Sequence, residues 1–245
     1  MAELTEYSSE EAETINTFRE QYYSLLTALF WREPDAALAE MLEKGLAERA
    51  EAAGQVHPAM GEGWRLMGEA LAEGGFQGAA EEYTHLFLGP FAPEVAPYES
   101  KYLANGMFKA PLIEVREFML GAGLEKSDAD FTEPEDMLAF ELEIMRWLVS
   151  QHRQAKDGEA AQRWLDLQAD FAKQHLLVWG SACARDIAGA ESARFYKGAA
   201  LLLEGFLELE TEVLRPLGPS TIPTLEEAIK RHTGRPVWKG PTFEA

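Results

Sequence analysis

Apolar residues recur at helical spacing along almost the whole of the 245-residue chain. In the segment that ends at Phe30, for example, Ile15, Phe18, Tyr22 and Leu26 follow one another three or four residues apart. No alternating run is long enough for a β-sheet, and no strand, glycine loop and helix occur in succession. We therefore predict an all-α protein, a single globular bundle of about nine to eleven helices.

Two segments of different character divide the helical pattern. Residues 121–133 are rich in small and charged side chains, and their apolar residues show no regular spacing, which is typical of a hinge loop. Beyond residue 214 prolines become frequent, and we expect an irregular tail over 215–245 with one short helix near Leu225. The remaining helical halves, 1–120 and 134–214, are expected to form one domain.

Glycine, proline and capping residues predict where individual helices begin and end. Thr132 and Glu135 form a potential capping box, and Pro134 is suited to a first helical turn. We expect helices at 36–53, 59–72, 111–120, 133–154, 159–188 and 190–214.

Charge and cysteine content exclude several classes of protein. Acidic residues number 42 against 22 basic ones, so the net charge of −20 argues against a nucleic-acid partner and favours a cationic one. The polar, acidic start differs from a signal peptide, and no apolar run reaches the roughly 18–20 residues of a membrane span. Cys183 is the only cysteine, so neither an intrachain disulfide nor a cysteine-based zinc site can form. We predict a cytoplasmic protein without stable membrane insertion.

The segment 81–103 has the composition of a peptide receptor. A helix carrying Tyr83 and Phe87 is expected to stop at Gly89, because Pro90 prevents it from resuming. A proline-rich loop with Phe91 and Tyr98 follows, and a new helix is expected near Glu99. The alternative is a simple connection between helices whose aromatic side chains cover the core.

Motifs for catalysis are scarce. Glu82 and His85 have the Glu-x-x-His spacing of helical di-iron sites, but a second such pair is missing. Phosphate-binding glycine motifs and a nucleophile elbow are also absent. We predict no catalytic residue, no metal site and no cofactor, and keep a ferritin-like metalloenzyme as the alternative.

Acidic residues gather around the predicted start of the helix at 133–154. Asp136 and Glu141 are spaced so that both carboxylates could face a groove and bind arginine side chains. Acidic residues in a first helical turn also stabilise the helix dipole without any partner. That second explanation covers Glu133, Glu135 and Asp136 well, and Glu141 less well.

Three segments, in order, resemble the TorD/DmsD family of redox enzyme maturation chaperones. The first resembles the family signature and consists of Tyr83-Thr84-His85-Leu86-Phe87-Leu88-Gly89-Pro90 followed by Pro97-Tyr98-Glu99-Ser100. The segment that begins Glu133-Pro134-Glu135-Asp136-Met137 is similar to its Glu-Pro-x-Asp-His helix start. The third is similar to the family's Phe-x-x-x-His-Leu-x-x-Trp element and reads Phe171-Ala172-Lys173-Gln174-His175-Leu176-Leu177-Val178-Trp179.

The resemblance implies a TorD-like all-α chaperone rather than an enzyme. Such a protein binds the twin-arginine signal peptide and the apo form of a molybdenum or tungsten oxidoreductase, and assists insertion of the molybdopterin cofactor before export. We expect a monomer or a dimer. A helical scaffold for a redox subunit that is not exported remains the alternative.

Carried onto this chain, the resemblance places the peptide-binding surface on two of the three segments. Met137 stands where the family usually has histidine, so recognition there is expected to be more apolar. With the aromatic and acidic candidates of both segments included, the predicted peptide-binding residues are Tyr83, Leu86, Phe87, Phe91, Pro97, Tyr98, Glu99, Asp136, Met137 and Glu141.

Overall fold

The structure, a computed structural model, describes residues 9–89, 91–127 and 132–234. Within these ranges it contains eleven α-helices, one π-helical segment and a single isolated β-bridge, which confirms the all-α prediction. The helices are α1 (Ser9–Trp31), α2 (Ala36–Glu43), α3 (Leu46–Val56), α4 (Pro58–Tyr83), α5 (Glu99–Ala104), α6 (Ala110–Ala122), α7 (Leu138–Gln154), α8 (Gly158–Gln174), α9 (Leu176–Gly189), α10 (Phe195–Leu214) and α11 (Leu225–Thr233), and the π-helical segment is Thr84–Leu88.

One continuous apolar core joins the two predicted halves. α1 packs against α7 of the second half, and α4 packs along α10. The core includes large side chains that are fully buried, among them Trp179, Tyr196 and Phe206. Burial of such aromatic groups is the main stabilising term for a bundle of this size.

Two glycines allow α4 and α10 to approach closely. A Cβ atom at Gly63 would lie 2.6 Å from the carbonyl oxygen of Gly198, and one at Gly198 would lie 2.6 Å from the carbonyl oxygen of Gly63. Only glycine fits at either position without moving one helix. These two residues therefore fix the distance between α4 and α10.

Several helices are shorter than the sequence pattern indicates. The segment expected as one helix at 36–53 is divided by Gly45, which is in the left-handed region at φ 74°. The expected helix at 159–188 is divided at His175, whose φ of −125° and ψ of −96° are not helical. The break expected after residue 72 is a kink inside α4 at Gly75, where φ is 60° and ψ is −167°.

The start of α7 also differs from the prediction. The helix begins at Leu138 with Met137 as its N-cap residue, rather than at Glu133 with a Thr132 capping box. Immediately before the helix, the carbonyl oxygen of Asp136 accepts from the N–H of Glu99, the first residue of α5. The N–H of Leu138 donates to the carbonyl oxygen of Pro97 rather than to a preceding helical turn.

The predicted hinge and tail are described only in part. α6 ends at Gly123, which is in the left-handed region at φ 73°, and 124–127 follow without regular structure. In the tail, α11 forms as expected, with a complete capping box between Thr224 and Glu227, and packs against α5 and α9. Residues 128–131 of the hinge and 235–245 of the tail lie outside the described residues.

A buried lysine holds the turn between α10 and α11. The ammonium group of Lys173 donates to the carbonyl oxygens of Arg215 at 2.9 Å, Ser220 at 2.8 Å and Leu217. It thereby satisfies carbonyl groups that the end of α10 and the following turn would otherwise leave unpaired. Among the helices of the described ranges, none combines the length and the apolar character needed to cross a membrane.

Candidate peptide-binding site

The end of α4 turns two predicted site residues inward. After Tyr83 the helix widens into the π-helical segment, and Gly89 ends it at φ 59°. A Cβ atom at Gly89 would lie 2.0 Å from the carbonyl oxygen of Ala92, so the tight turn requires glycine. This geometry buries Leu86 and Phe87 and leaves Leu88 about half exposed.

The two segments that carry the family signature are hydrogen-bonded to each other. Tyr98 and Met137 form an antiparallel β-bridge. The N–H of Glu99 donates to the carbonyl oxygen of Asp136 at 2.8 Å, and the N–H of Leu138 donates to that of Pro97 at 2.9 Å. Loop 97–99 and the start of α7 therefore form one rigid unit.

A cleft of about 690 Å³ opens beside this unit. Five of the ten predicted residues line it: Tyr83, Phe87, Pro97, Tyr98 and Met137. The remaining lining residues come mainly from the corner between α1 and α2 and from the segment before α7: Trp31, Arg32, Glu33, Pro34, Asp35, Leu88, Thr132 and Glu133.

The other five predicted residues do not line the cleft. Phe91 is fully exposed to solvent, on the loop that follows Leu88. The remaining four lie in the protein interior: Leu86, Glu99, Asp136 and Glu141.

The three interior carboxylates each have a structural partner. The carboxylate of Asp136 accepts a hydrogen bond from the N–H of Ser100 at 3.0 Å, at the start of α5. Oε2 of Glu99 lies 3.0 Å from Nδ1 of His175, and the indole N–H of Trp179 donates to Glu141 at 3.0 Å. These contacts connect α5, α7 and α9.

Burial changes the ionisation of two of these groups. Desolvation raises the pKa of Glu99, although His175 beside it acts in the opposite direction. Desolvation, reinforced by the nearby Glu99 carboxylate, raises the pKa of Glu141 well above its usual value. Glu141 thus favours its neutral form inside the protein, where it is not accessible to an arginine of a partner.

Two carboxylates at the cleft are available to a cation instead. Glu33 accepts a hydrogen bond from the hydroxyl of Thr84 at 2.6 Å, and Glu133 accepts one from the phenol of Tyr98 at 2.7 Å. Within the described part of the chain neither has an ion-pair partner. Asp35, the third acidic residue of the lining, forms an ion pair with Arg32 at 3.0 Å and accepts hydrogen bonds from backbone N–H groups at the N-terminus of α2.

Sequence reasoning missed Glu33 as a site residue. It lies in the break between α1 and α2, directly before Pro34, and only the fold brings that corner to the signature segments. Trp31, the last residue of α1, was likewise missed and contributes an aromatic wall. A tryptophan and a glutamate beside a helix-ending proline were the available signal.

The Glu-x-x-His pair has a different role from metal binding. The carboxylate of Glu82 accepts hydrogen bonds from the backbone N–H groups of Arg194 at 2.8 Å, Phe195 at 3.0 Å and Tyr196 at 2.7 Å. It thereby caps α10, while His85 is exposed. Across the described residues, no three histidine, cysteine or acidic side chains are grouped in a way that could hold a metal ion.

Comparison with known proteins identifies the family. A relative named chaperone protein TorD, from Vibrio cholerae serotype O1 strain El Tor Inaba N16961, is 28% identical over 221 residues, which cover 86% of this chain and 99% of the relative. A perchlorate reductase assembly chaperone protein from Dechloromonas aromatica strain RCB is 28% identical over 138 residues, or 54% of this chain and 62% of that protein. The family model described as nitrate reductase delta subunit matches residues 53–185, more than half of the chain. The chain therefore belongs to the nitrate reductase delta subunit family of TorD-like chaperones.

Proposed function

We propose that the protein is a maturation chaperone for a molybdenum or tungsten oxidoreductase subunit. It binds the twin-arginine signal peptide of the apo enzyme in the cleft, in the cytoplasm, and assists cofactor insertion before export. The names of its relatives, a perchlorate reductase assembly chaperone among them, support this class of client. The observation that carries the proposal is an aromatic cleft whose rim has two carboxylates, Glu33 and Glu133, that have no ion-pair partner among the described residues.

The cleft can account for useful affinity. Burial of roughly 300–400 Å² of apolar peptide surface would contribute about 7–10 kcal/mol before ordering costs are subtracted. Ordering a flexible peptide costs several kcal/mol, so we expect dissociation constants in the micromolar range. The accessible apolar surface of the cleft comes from Trp31, Leu88 and Tyr98, whereas Phe87 and Met137 are nearly buried in its lining.

The carboxylates add selectivity for the arginine pair. Each of Glu33 and Glu133 accepts one hydrogen bond from a neutral hydroxyl, which leaves further lone pairs for a guanidinium group. In this proposal the charge-selecting role that the sequence placed on Asp136 and Glu141 belongs to Glu33 and Glu133. The two interior groups support the cleft from below instead.

Binding of a synthetic peptide tests this function. The peptide has two adjacent arginines followed by a leucine- and alanine-rich stretch, and its affinity is measured by isothermal titration calorimetry at two salt concentrations. We expect the double variant Glu33→Gln, Glu133→Gln to bind about tenfold more weakly and to lose much of the salt dependence. Glu117→Gln, an exposed site on α6, is the control for general charge.

Two results would contradict the proposal. One is a wild-type protein that binds no such peptide and captures no oxidoreductase precursor. The other is a double variant that binds the arginine peptide as tightly as Glu117→Gln does. Replacement of both peptide arginines by alanine should remove the difference between the two proteins.

A further inference from the structure

A second pocket adjoins the candidate cleft. It has a volume of about 350 Å³, and Trp31 belongs to the lining of both cavities. The rest of its apolar wall comes from α6, from the segment that follows it and from α7, and consists of Met119, Leu124, Phe140, Ile144 and Trp147. Trp31 stacks on Phe140 with 6.2 Å between the ring centroids and an angle of 15° between the planes. The second pocket is therefore continuous with the aromatic wall of the cleft.

A lysine joins the rims of the two cavities. Lys126 lines the second pocket, and its ammonium group donates to the carbonyl oxygen of Glu133, a cleft residue, at 2.8 Å. The same group lies 3.7 Å from a carboxylate oxygen of Glu135 and 5.9 Å from the centre of the Phe140 ring. A positive charge, offset by Glu135, is thus held where the second pocket meets Glu133. The carboxylates of Glu125 and Glu143 also line that pocket, and Glu143 is paired with Arg146 at 2.6 Å.

The linings of the two cavities favour different parts of an occupant. Arginine side chains are favoured beside Glu33 and Glu133, the cleft carboxylates that have no ion-pair partner among the described residues. Apolar side chains are favoured against Trp31, Ile144 and Trp147, because the pocket wall there is aromatic and aliphatic. A peptide with its cations in the cleft would extend its apolar residues past Trp31.

We propose that the second pocket is the subsite for the apolar stretch that follows the arginine pair of the same bound peptide. This inference rests on the proposed function and adds a second contact region to it. Recognition then requires both parts of the peptide, the arginine pair and the apolar stretch, in one bound molecule. Either part alone would occupy only one of the two cavities.

The test uses two peptides and three protein variants. The first peptide has two adjacent arginines followed by a leucine- and alanine-rich stretch, and in the second peptide that stretch is replaced by serines. Leu124→Asp places a charge in the wall of the second pocket, and Ser127→Trp narrows the pocket from an exposed position. Ile113→Asp, on the exposed face of α6, is the matched control, since it lines neither cavity.

We expect Leu124→Asp and Ser127→Trp each to bind the apolar peptide about tenfold more weakly than Ile113→Asp does, as for the loss of one buried aliphatic side chain. All three variants should bind the serine peptide alike. If Leu124→Asp unfolds at a lower temperature, Ser127→Trp decides the outcome. The second subsite is overturned if Ser127→Trp and Ile113→Asp bind the apolar peptide equally well. The proposed function remains intact in that case if the double variant Glu33→Gln, Glu133→Gln still weakens binding. If the wild-type protein binds neither peptide, both the second subsite and the proposed function are overturned.

Discussion

The carboxylate of Asp136 accepts the backbone N–H of Ser100 at 3.0 Å, 36 residues away in the chain. Its other oxygen, Oδ1, is buried without a hydrogen-bond partner in the described structure. This contact holds the start of α5 against the residues before α7, directly below the Tyr98–Met137 bridge. Asp136 therefore maintains the shape of the cleft without facing it.

Asp136→Ala should lower the free energy of unfolding by about 1–3 kcal/mol, because it leaves the buried N–H of Ser100 unpaired. Urea denaturation followed by circular dichroism measures the change. Asp157→Ala is the matched control, since Asp157 caps α8 at an exposed site and should cost only about 1 kcal/mol. If the two substitutions lower the free energy of unfolding equally, burial adds nothing to the hydrogen bond between Asp136 and Ser100.

Glu141→Gln should stabilise the protein at neutral pH. The folded state raises the pKa of Glu141, so its contribution is fully present below the unfolded pKa of about 4.5 and is lost as pH rises through the folded pKa. Glutamine keeps an oxygen for the indole N–H of Trp179 and removes the cost of charging a buried group. The gain in the free energy of unfolding is therefore expected to be larger at pH 8 than at pH 5.

The free energy of unfolding should be measured for Glu141→Gln and wild type between pH 4 and pH 8. The difference between them should widen as pH rises. Glu143→Gln, a partly exposed neighbour on α7 that pairs with Arg146, should change stability by less than about 1 kcal/mol. A constant difference between Glu141→Gln and wild type across the range would contradict the assignment.

Lys173→Met should destabilise the turn between α10 and α11. The substitution preserves much of the side-chain volume but leaves the carbonyl oxygens of Arg215, Leu217 and Ser220 without their donor. We expect a loss of about 2–4 kcal/mol and faster amide hydrogen exchange across 214–224. Lys197→Met, at an exposed position of α10, should change neither quantity.

Gly63→Ala should separate α4 from α10. The new methyl group would lie 2.6 Å from the carbonyl oxygen of Gly198 and 2.8 Å from the backbone nitrogen of Leu202, so one helix must move. Thermal unfolding should show a loss of about 1–3 kcal/mol. Gly78→Ala, in the same helix with no atom within 4 Å of the new methyl, should instead gain up to about 1 kcal/mol.

Helical periodicity was sufficient to predict the fold class and most of the helices, because each carries its own apolar face. It did not predict the interruption between α8 and α9 at His175, whose imidazole lies 3.0 Å from a carboxylate oxygen of Glu99. It also placed the start of α7 five residues early, since residues before Leu138 form bonds to loop 97–99. Both differences arise from contacts between residues distant in the chain, which a local pattern does not contain.

The candidate site was predictable only where the sequence itself combines aromatic residues with a helix stop. Tyr83, Phe87, Pro97, Tyr98 and Met137 come from such segments, and they do line the cleft. The charged residues could not be placed in the same way. An acidic residue at a helix start can face solvent or the core, and only the packing of α5, α7 and α9 puts Asp136 and Glu141 inside and leaves Glu133 at the rim.

The bridge between Tyr98 and Met137 has a consequence for the choice of client. The wall of the cleft that carries Tyr98 and Met137 is held together by these backbone hydrogen bonds before a ligand arrives. The entropy lost on binding is therefore lost mainly by the ligand. A segment that is already folded into its own domain would have to unfold to enter, whereas an extended leader only has to become ordered. Under the proposed function, a receptor of fixed shape would distinguish an immature polypeptide from a finished one by the folding state of the polypeptide, in addition to its sequence.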